Sequence, residues 1–246
     1  QNIFAELVES EFIEVGTMMG SFDATTGQAL PDRYVEGGCP SCGSNARGDQ
    51  CEGCSKILDP SELISPISVL SGNTVEFKDT DHYFLRLDKL TDEIKEFVEN
   101  SSGLRPEAKN MSESMIGDLR SRAITRDMAW GIPLPKGFEL DDYRVLYVWF
   151  EAVIGYISAS IEWAKEQGNP DKWKEWWHNQ DAVHNYAMGK DNVPFHTIIW
   201  PGILSALNKA RESQLKPKFH LPDNIASTGY MNFGNEKLSS SRGNVV

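Results

Sequence analysis

Val145-Leu-Tyr-Val-Trp-Phe150 is an unbroken apolar run, and Glu151-Ala-Val-Ile-Gly-Tyr-Ile-Ser158 follows it directly. A run of that kind suits a strand buried on both faces of a parallel sheet. From Glu151 to Gln167 the pattern changes to a helix, through Ala152, Ile154, Gly155, Ile157, Ser158, Ile161 and Trp163. Ala182–Met188 reads as a second strand and runs into Gly189-Lys-Asp-Asn192. A second helix is expected from Pro194 to Leu207, carrying His196, with proline suited to its first turn. Lys218–Leu221 and Ile225–Phe233 read as further short strands. Alternating strands and helices imply an α/β fold with a parallel sheet and ligands at the C-terminal strand edges. Both the Trp149–Tyr156 and the Gly189–His196 segments are expected there.

Upstream, residues 1–14 read as a helix with Phe4, Leu7, Val8 and Phe12 on one face. Residues 15–37 mix short strands and turns, with a turn at Asp23–Gly27. Ser65-Pro-Ile-Ser68-Val-Leu-Ser71-Gly72 reads as a turn before a strand at Thr74–Phe77. Leu87, Leu90, Ile94, Phe97 and Val98 mark a helical face over 85–99, and 107–119 is a weaker helix. Ile124–Pro135 reads as a loop whose Arg126 and Asp127 form either a solvated pair or a substrate-gripping pair. Trp173, Trp176 and Trp177, in a short helix Lys172–His178, read as packing residues.

All four cysteines fall in Cys39-Pro-Ser-Cys42 and Cys51-Glu-Gly-Cys54. A disulfide framework would distribute its bridges, so this clustering points to metal in a reducing compartment, with a disulfide pair or reduced core thiols as the alternatives. Two C-x-x-C turns supply the tetrahedral sulfur shell that Zn²⁺ prefers. Four sulfurs leave no open position, so the metal is expected to hold the fold and not to catalyse.

Near the end lies Lys237-Leu-Ser-Ser-Ser-Arg242-Gly-Asn244. Three hydroxyls between two cations, flanked by glycines, suit a loop folding over phosphates; a solvated polar turn is the alternative. The net charge of -12 over 246 residues argues against non-specific nucleic-acid binding by the whole surface. No apolar run suggests a membrane span.

These parts resemble one family. The chain is similar end to end to the methionyl-tRNA synthetases of class I, in their archaeal or eukaryotic form. Leu30–Gly37 with Ala46–Cys51 resembles the family's approach to its zinc knuckle, and Ile124–Pro135 its SRD…WGIPVP segment. Tyr147–Ser158 resembles YVWFDAPIGYIS, Gly189–His196 matches GKDNVPFH in full, and Lys237–Ser241 is the KMSKS loop as KLSSS.

The resemblance implies a Rossmann-type parallel nucleotide-binding sheet with an inserted zinc-knuckle connective domain. Residues 1–13 would end the first Rossmann half, 14–118 would form the insertion and 119–246 the second half. It implies a methionine–tRNA ligase: methionine's carboxylate attacks the α-phosphate of ATP, and the methionyl group then passes to tRNA(Met). Such chemistry depends on positioning and charge stabilisation, which suits a chain without a nucleophilic triad. By the same resemblance Trp149, Val153, Tyr156 and His196 line the methionine pocket. Gly189 and Asp191 bind the ATP ribose, and Arg126 stands near the reacting groups. Lys237, Ser239, Ser240 and Ser241 contact the ATP phosphates and leaving pyrophosphate. Cys39, Cys42, Cys51 and Cys54 hold one structural zinc, Mg²⁺ accompanies ATP, and the setting is cytoplasmic.

Departures accompany the likeness. The family's HIGH signature and its anticodon-binding domain are absent from these residues, so the chain is expected to be a fragment with negligible activity alone. Ser240 replaces the second lysine of KMSKS, Glu151 replaces an aspartate and Val153 a proline. Ser68 and Ser71 look like a second knuckle whose cysteines have been replaced. Leucine, isoleucine and valine synthetases are disfavoured because their large editing insertion does not fit here. The remaining alternatives are a synthetase-like fragment without activity, or a zinc module without catalysis.

Overall fold

The computed structural model describes residues 1–48, 51, 54, 58–128, 130–140, 144–229, 231–233 and 236–237. For residues 232–233 and 236–237 only the backbone is described. The chain forms two compact units. One holds Gln1–Asn2, Glu14–Leu85 and Ala123–Val148; the other holds Ile3–Ile13, Arg86–Arg122 and Trp149–Val246.

In the first unit one long strand, Ile13–Asp23, takes the first part of 15–37, and Val35–Gly38 is the short strand that follows the turn. Ile13–Asp23 lies beside another long strand, Val75–Leu85, of which the sequence marked only the start. Asp23 closes the expected turn, its Oδ1 accepting from the amides of Thr25 and Thr26 at 2.9 and 3.0 Å. A small antiparallel sheet places Val35–Gly38 between Asn45–Arg47 and Ile64–Ser68. Its core is Leu30, Val35, Cys39, Ala46, Cys51, Leu58 and Leu63. So little apolar area sits at the margin of what holds a small domain together, and a crosslink there would add materially.

The 145–150 run differs from the strand expected. Its strand ends early, at Arg144–Leu146, and pairs antiparallel with Thr125–Asp127, a strand inside the expected loop. From Val148 the chain is helical as far as Glu166. Phe150, Val153, Ile154 and Ile157 are buried and fall at helical spacing, so the helix begins before Glu151 and takes over the last aromatic residues of the run. Burial of that face overrides the strand preference of Val, Trp and Phe.

The second unit contains a parallel sheet in the order Asn185–Gly189, Asn224–Thr228, Gly103–Leu104. Gly103 is required where the strands meet: a Cβ there would lie 2.1 Å from Asn224 Oδ1 and 2.2 Å from Asp223 O. Between the first two strands run a π-helical turn, Phe195–Ile199, and an α-helix, Trp200–Ser213. The expected strand at 218–221 is irregular chain instead. The helix expected over 85–99 starts later, as Thr91–Asn100, the one expected over 107–119 ends earlier, as Pro106–Ile116, and the first helix shortens to Asn2–Val8. Trp200, Ile203, Leu87, Leu90, Ile94 and Phe150 are almost wholly buried and form the core. Among the described residues no helix is long and apolar enough to cross a membrane.

Candidate functional site

Trp149, Val153 and Tyr156 stand four and three residues apart on the helix Val148–Glu166, which places them on one face. The π-helical turn supplies the facing residues, Phe195 and His196. Trp149 stacks on Phe195 with centroids 4.3 Å apart and planes 14° from parallel. Val153 is buried beside them in sequence, whereas Tyr156 is 41 % exposed. Thus the structure brings together the two segments that the sequence separated by forty residues.

Tyr156 Oη lies 2.8 Å from His196 Nε2. The other ring nitrogen, Nδ1, lies 2.8 Å from the carbonyl of Asn192. A carbonyl only accepts, so Nδ1 carries the proton, Nε2 is an acceptor and Tyr156 donates. Burial lowers the His196 pKa, against the opposing pull of the Asn192 carbonyl, and so keeps the ring neutral. Burial raises that of Tyr156, which keeps its proton.

Behind this pair stand aromatic residues that the sequence did not mark. Tyr186 meets Tyr156 edge to face at 5.2 Å and tilts against His196 at 5.5 Å. Trp200 Nε1 donates to Tyr186 Oη at 3.0 Å, and burial pushes the Tyr186 phenol up to about 12. Trp177 packs its edge against Trp200 and donates to Ser160 Oγ at 2.9 Å, which confirms its packing role. Tyr186 and Trp200 gave no sequence signal, because aromatic residues on a buried strand and helix read as ordinary core. Asn192 was legible in principle, four residues before His196.

Gly189 ends its strand at the C-terminal edge of the parallel sheet, opposite Thr228. A Cβ at Gly189 would meet no atom within 4 Å, so the backbone faces open space. Asp191 is exposed in the single turn Lys190–Asn192 that follows. Lys237 lies in a two-residue strand, Glu236–Lys237, whose backbone pairs antiparallel with Asn232–Phe233. Ser239, Ser240, Ser241 and Arg242 lie outside the described residues.

Arg126 belongs to the first unit. Its guanidinium sits 3.7 Å over the Tyr147 ring, and Nη2 pairs with Asp32 Oδ2 at 3.3 Å. Tyr147 Oη donates to the same oxygen at 3.2 Å. Asp127 is not its partner: it pairs with Arg144 at 3.2 Å and with His82 Nε2 at 3.4 Å. Successive strand residues point to opposite faces, so Arg126 and Asp127 do not form the pair the sequence suggested. Burial would raise the Asp127 pKa, but the His82 hydrogen bond and the Arg144 charge outweigh it and hold the carboxyl below its usual range. Asp32 lies 94 residues from Arg126, and no local pattern joins them.

The four cysteine sulfurs lie within 4.8 Å of one another. Cys39 Sγ is 3.9 Å from Cys54 Sγ, and Cys42 Sγ is 3.6 Å from Cys51 Sγ. A tetrahedron of Zn–S bonds near 2.3 Å puts sulfurs about 3.8 Å apart, so the donor set fits zinc. No disulfide links any of the four. Gly43, at φ +72, lets the first knuckle close, its amide donating to Cys39 O at 2.9 Å. The Ser44 hydroxyl and amide lower the Cys42 thiol to about 6, and the Ser41 amide lowers Cys39 against the effect of burial. Both favour the thiolate a metal needs. Ser71 instead donates to Asp23 Oδ2, beside that residue's turn amides, so it ties down a loop.

The chain matches known proteins over its whole length. It is 46 % identical over 256 residues to a methionine–tRNA ligase of Chloroflexus aggregans, covering 100 % of this chain and 42 % of that protein. It is 43 % identical over 253 residues to that of Cutibacterium acnes, with the same coverage of 100 % and 42 %. The chain therefore spans about two fifths of the length of these curated relatives. Among solved structures it resembles Mycobacterium tuberculosis methionyl-tRNA synthetase bound by methionyl-adenylate, with a TM-score of 0.60 and 19 % identity, over 99 % of this chain and 40 % of that one. The apo form of that enzyme gives 0.56 and 17 %, over 92 % and 38 %; these likenesses establish the shared α/β fold. The family described as tRNA synthetases class I (M) matches residues 1–246, and the chain belongs to that family.

Proposed function

We propose that the protein carrying this chain is a methionine–tRNA ligase, which activates methionine with ATP and transfers it to tRNA(Met). The observation that carries this reading is the Tyr156–His196 pair, on the same two segments as the stacked Trp149 and Phe195. Aromatic side chains grouped with a neutral polar tip suit a flexible, polarisable thioether. In this reading Trp149, Val153, Tyr156 and His196 hold methionine, while Gly189 and Asp191 take the ribose of ATP from the sheet edge beside them.

The first step forms a bond between methionine's carboxylate oxygen and the α-phosphorus. It breaks the bond from that phosphorus to the pyrophosphate oxygen, and the electron pair leaves with pyrophosphate. Lys237 with Ser239, Ser240 and Ser241 stabilises the departing charge, and Arg126 that of the α-phosphoryl group. In the second step a terminal hydroxyl of tRNA attacks the methionyl carbonyl, and AMP leaves with the phosphate oxygen. Mg²⁺ would accompany ATP, and zinc bound by the four cysteines would crosslink the small sheet. We place the protein in the cytoplasm. We keep the archaeal or eukaryotic type, with its second knuckle lost at Ser68 and Ser71. We also keep the insertion at 14–118 between Rossmann segments 1–13 and 119–246.

Methionine-dependent ATP–pyrophosphate exchange on the full-length native protein, with this chain alone as control, tests the reading. Exchange in the full-length protein that is lost in Asp191→Ala and absent from the chain alone supports it. No exchange in the zinc-loaded, folded full-length protein refutes it.

A further inference from the structure

The turn that carries His196 is π-helical: the Trp200 amide bonds to Phe195 O, five residues back, where an α-helix would reach four. Such turns are rare and bond less favourably, so they persist where the surroundings hold them. Two fully buried hydroxyls surround this one. Thr197 Oγ1 lies 2.9 Å from the carbonyl of Val193, one turn earlier. Ser112, on the helix Pro106–Ile116, places Oγ 2.7 Å from Thr197 Oγ1 and 2.7 Å from Ala108 O. Both residues are 0 % exposed, so bulk solvent does not reach either hydroxyl. Two hydroxyl protons serve three short contacts, and the pair shares them as a unit.

We propose that Thr197 and Ser112 are positioning residues, whose paired hydroxyls hold the π-helical turn that aims His196 Nε2 at Tyr156. The inference rests on the reading of His196 as a pocket residue. Thr197 follows His196 directly, and its hydroxyl ties the turn to a helix from a distant part of the chain. Without that tie the turn relaxes toward α-helical bonding. One residue then shifts around the axis by about 100°, which takes the imidazole off the Tyr156 hydroxyl.

The test uses the full-length native protein with Thr197→Val, Thr197→Ser, Ser112→Ala and the Val–Ala double variant. Thermal melting and zinc content monitor folding. In pyrophosphate exchange, Thr197→Val and Ser112→Ala are expected to raise the KM for methionine about tenfold while that for ATP moves less than about twofold. Thr197→Ser restores the methionine KM, and the double variant is no worse than the poorer single one. An unchanged methionine KM in folded Thr197→Val overturns the proposal, as does an equal loss for both substrates. If the parent protein shows no methionine-dependent exchange, the functional reading fails instead. The crystal structure of Thr197→Val then decides: His196 displaced from Tyr156 supports the positioning role, and His196 still bonded to Tyr156 refutes it.

Discussion

Tyr156 donates its phenolic proton to His196 Nε2 across 2.8 Å, because His196 has already committed its own proton to the Asn192 carbonyl. The lone pairs of Tyr156 Oη therefore remain available to a ligand donor, while the imidazole stays neutral. Tyr156→Phe should leave Nε2 without its donor and weaken methionine binding, with a KM rise of about tenfold and little change for ATP. Exchange kinetics at varied methionine measure this. An unchanged KM would remove the pair from the binding site.

The cysteine shell predicts one zinc per chain. Cys51→Ser replaces a buried cysteine sulfur with a poor metal ligand inside the small core it shares with Cys39, Val35 and Ala46. Metal analysis should find the zinc gone, and the melting temperature should fall. Cys42→Ser, at an exposed corner, should lose metal with less damage to packing. Full zinc occupancy in Cys51→Ser would contradict the four-sulfur site.

Burial lowers the pKa of His178, His184 and His196. Below the ordinary value of about 6.5 the unfolded chain takes up protons that the folded chain refuses. The contribution of these histidines is thus complete above that pH and is lost as pH falls toward their folded values. Asp127 and Asp223, held low, add a separate loss only at more acid pH. Melting temperature followed from pH 7.5 to 5.5 should fall, and less steeply in His184→Gln. Identical slopes would show that His184 does not contribute.

Arg126 stacks on Tyr147 and pairs with Asp32. Arg126→Lys keeps the charge but loses the planar stack and the forked donors. If Arg126 stabilises charge only in the transition state, kcat for adenylate formation should fall by about a hundredfold with substrate KM values almost unchanged. Single-turnover measurements separate that outcome from a binding defect, which would rule out the transition-state role.

Much of the second unit was legible from local pattern. Gly189 at a strand end and the helix through Tyr156 follow from apolar periodicity and turn residues. The 145–150 run reads as a strand throughout because Val, Trp and Phe favour strands, while the helical spacing of Phe150, Val153 and Ile157 becomes decisive only when that face is buried. The pairing of Arg126 with Asp32 was invisible, since strand partners distant in sequence leave no periodic trace.

The sequence by itself determined the cysteine shell, the βα order around Gly189 and the residue types of the cleft, because spacing and side-chain chemistry are local properties. Only the tertiary structure decided which proton His196 carries, that its turn is π-helical, and that the Ser112 hydroxyl meets Thr197 from 85 residues away. Those features depend on which buried donors and acceptors meet, and that is settled when the elements pack.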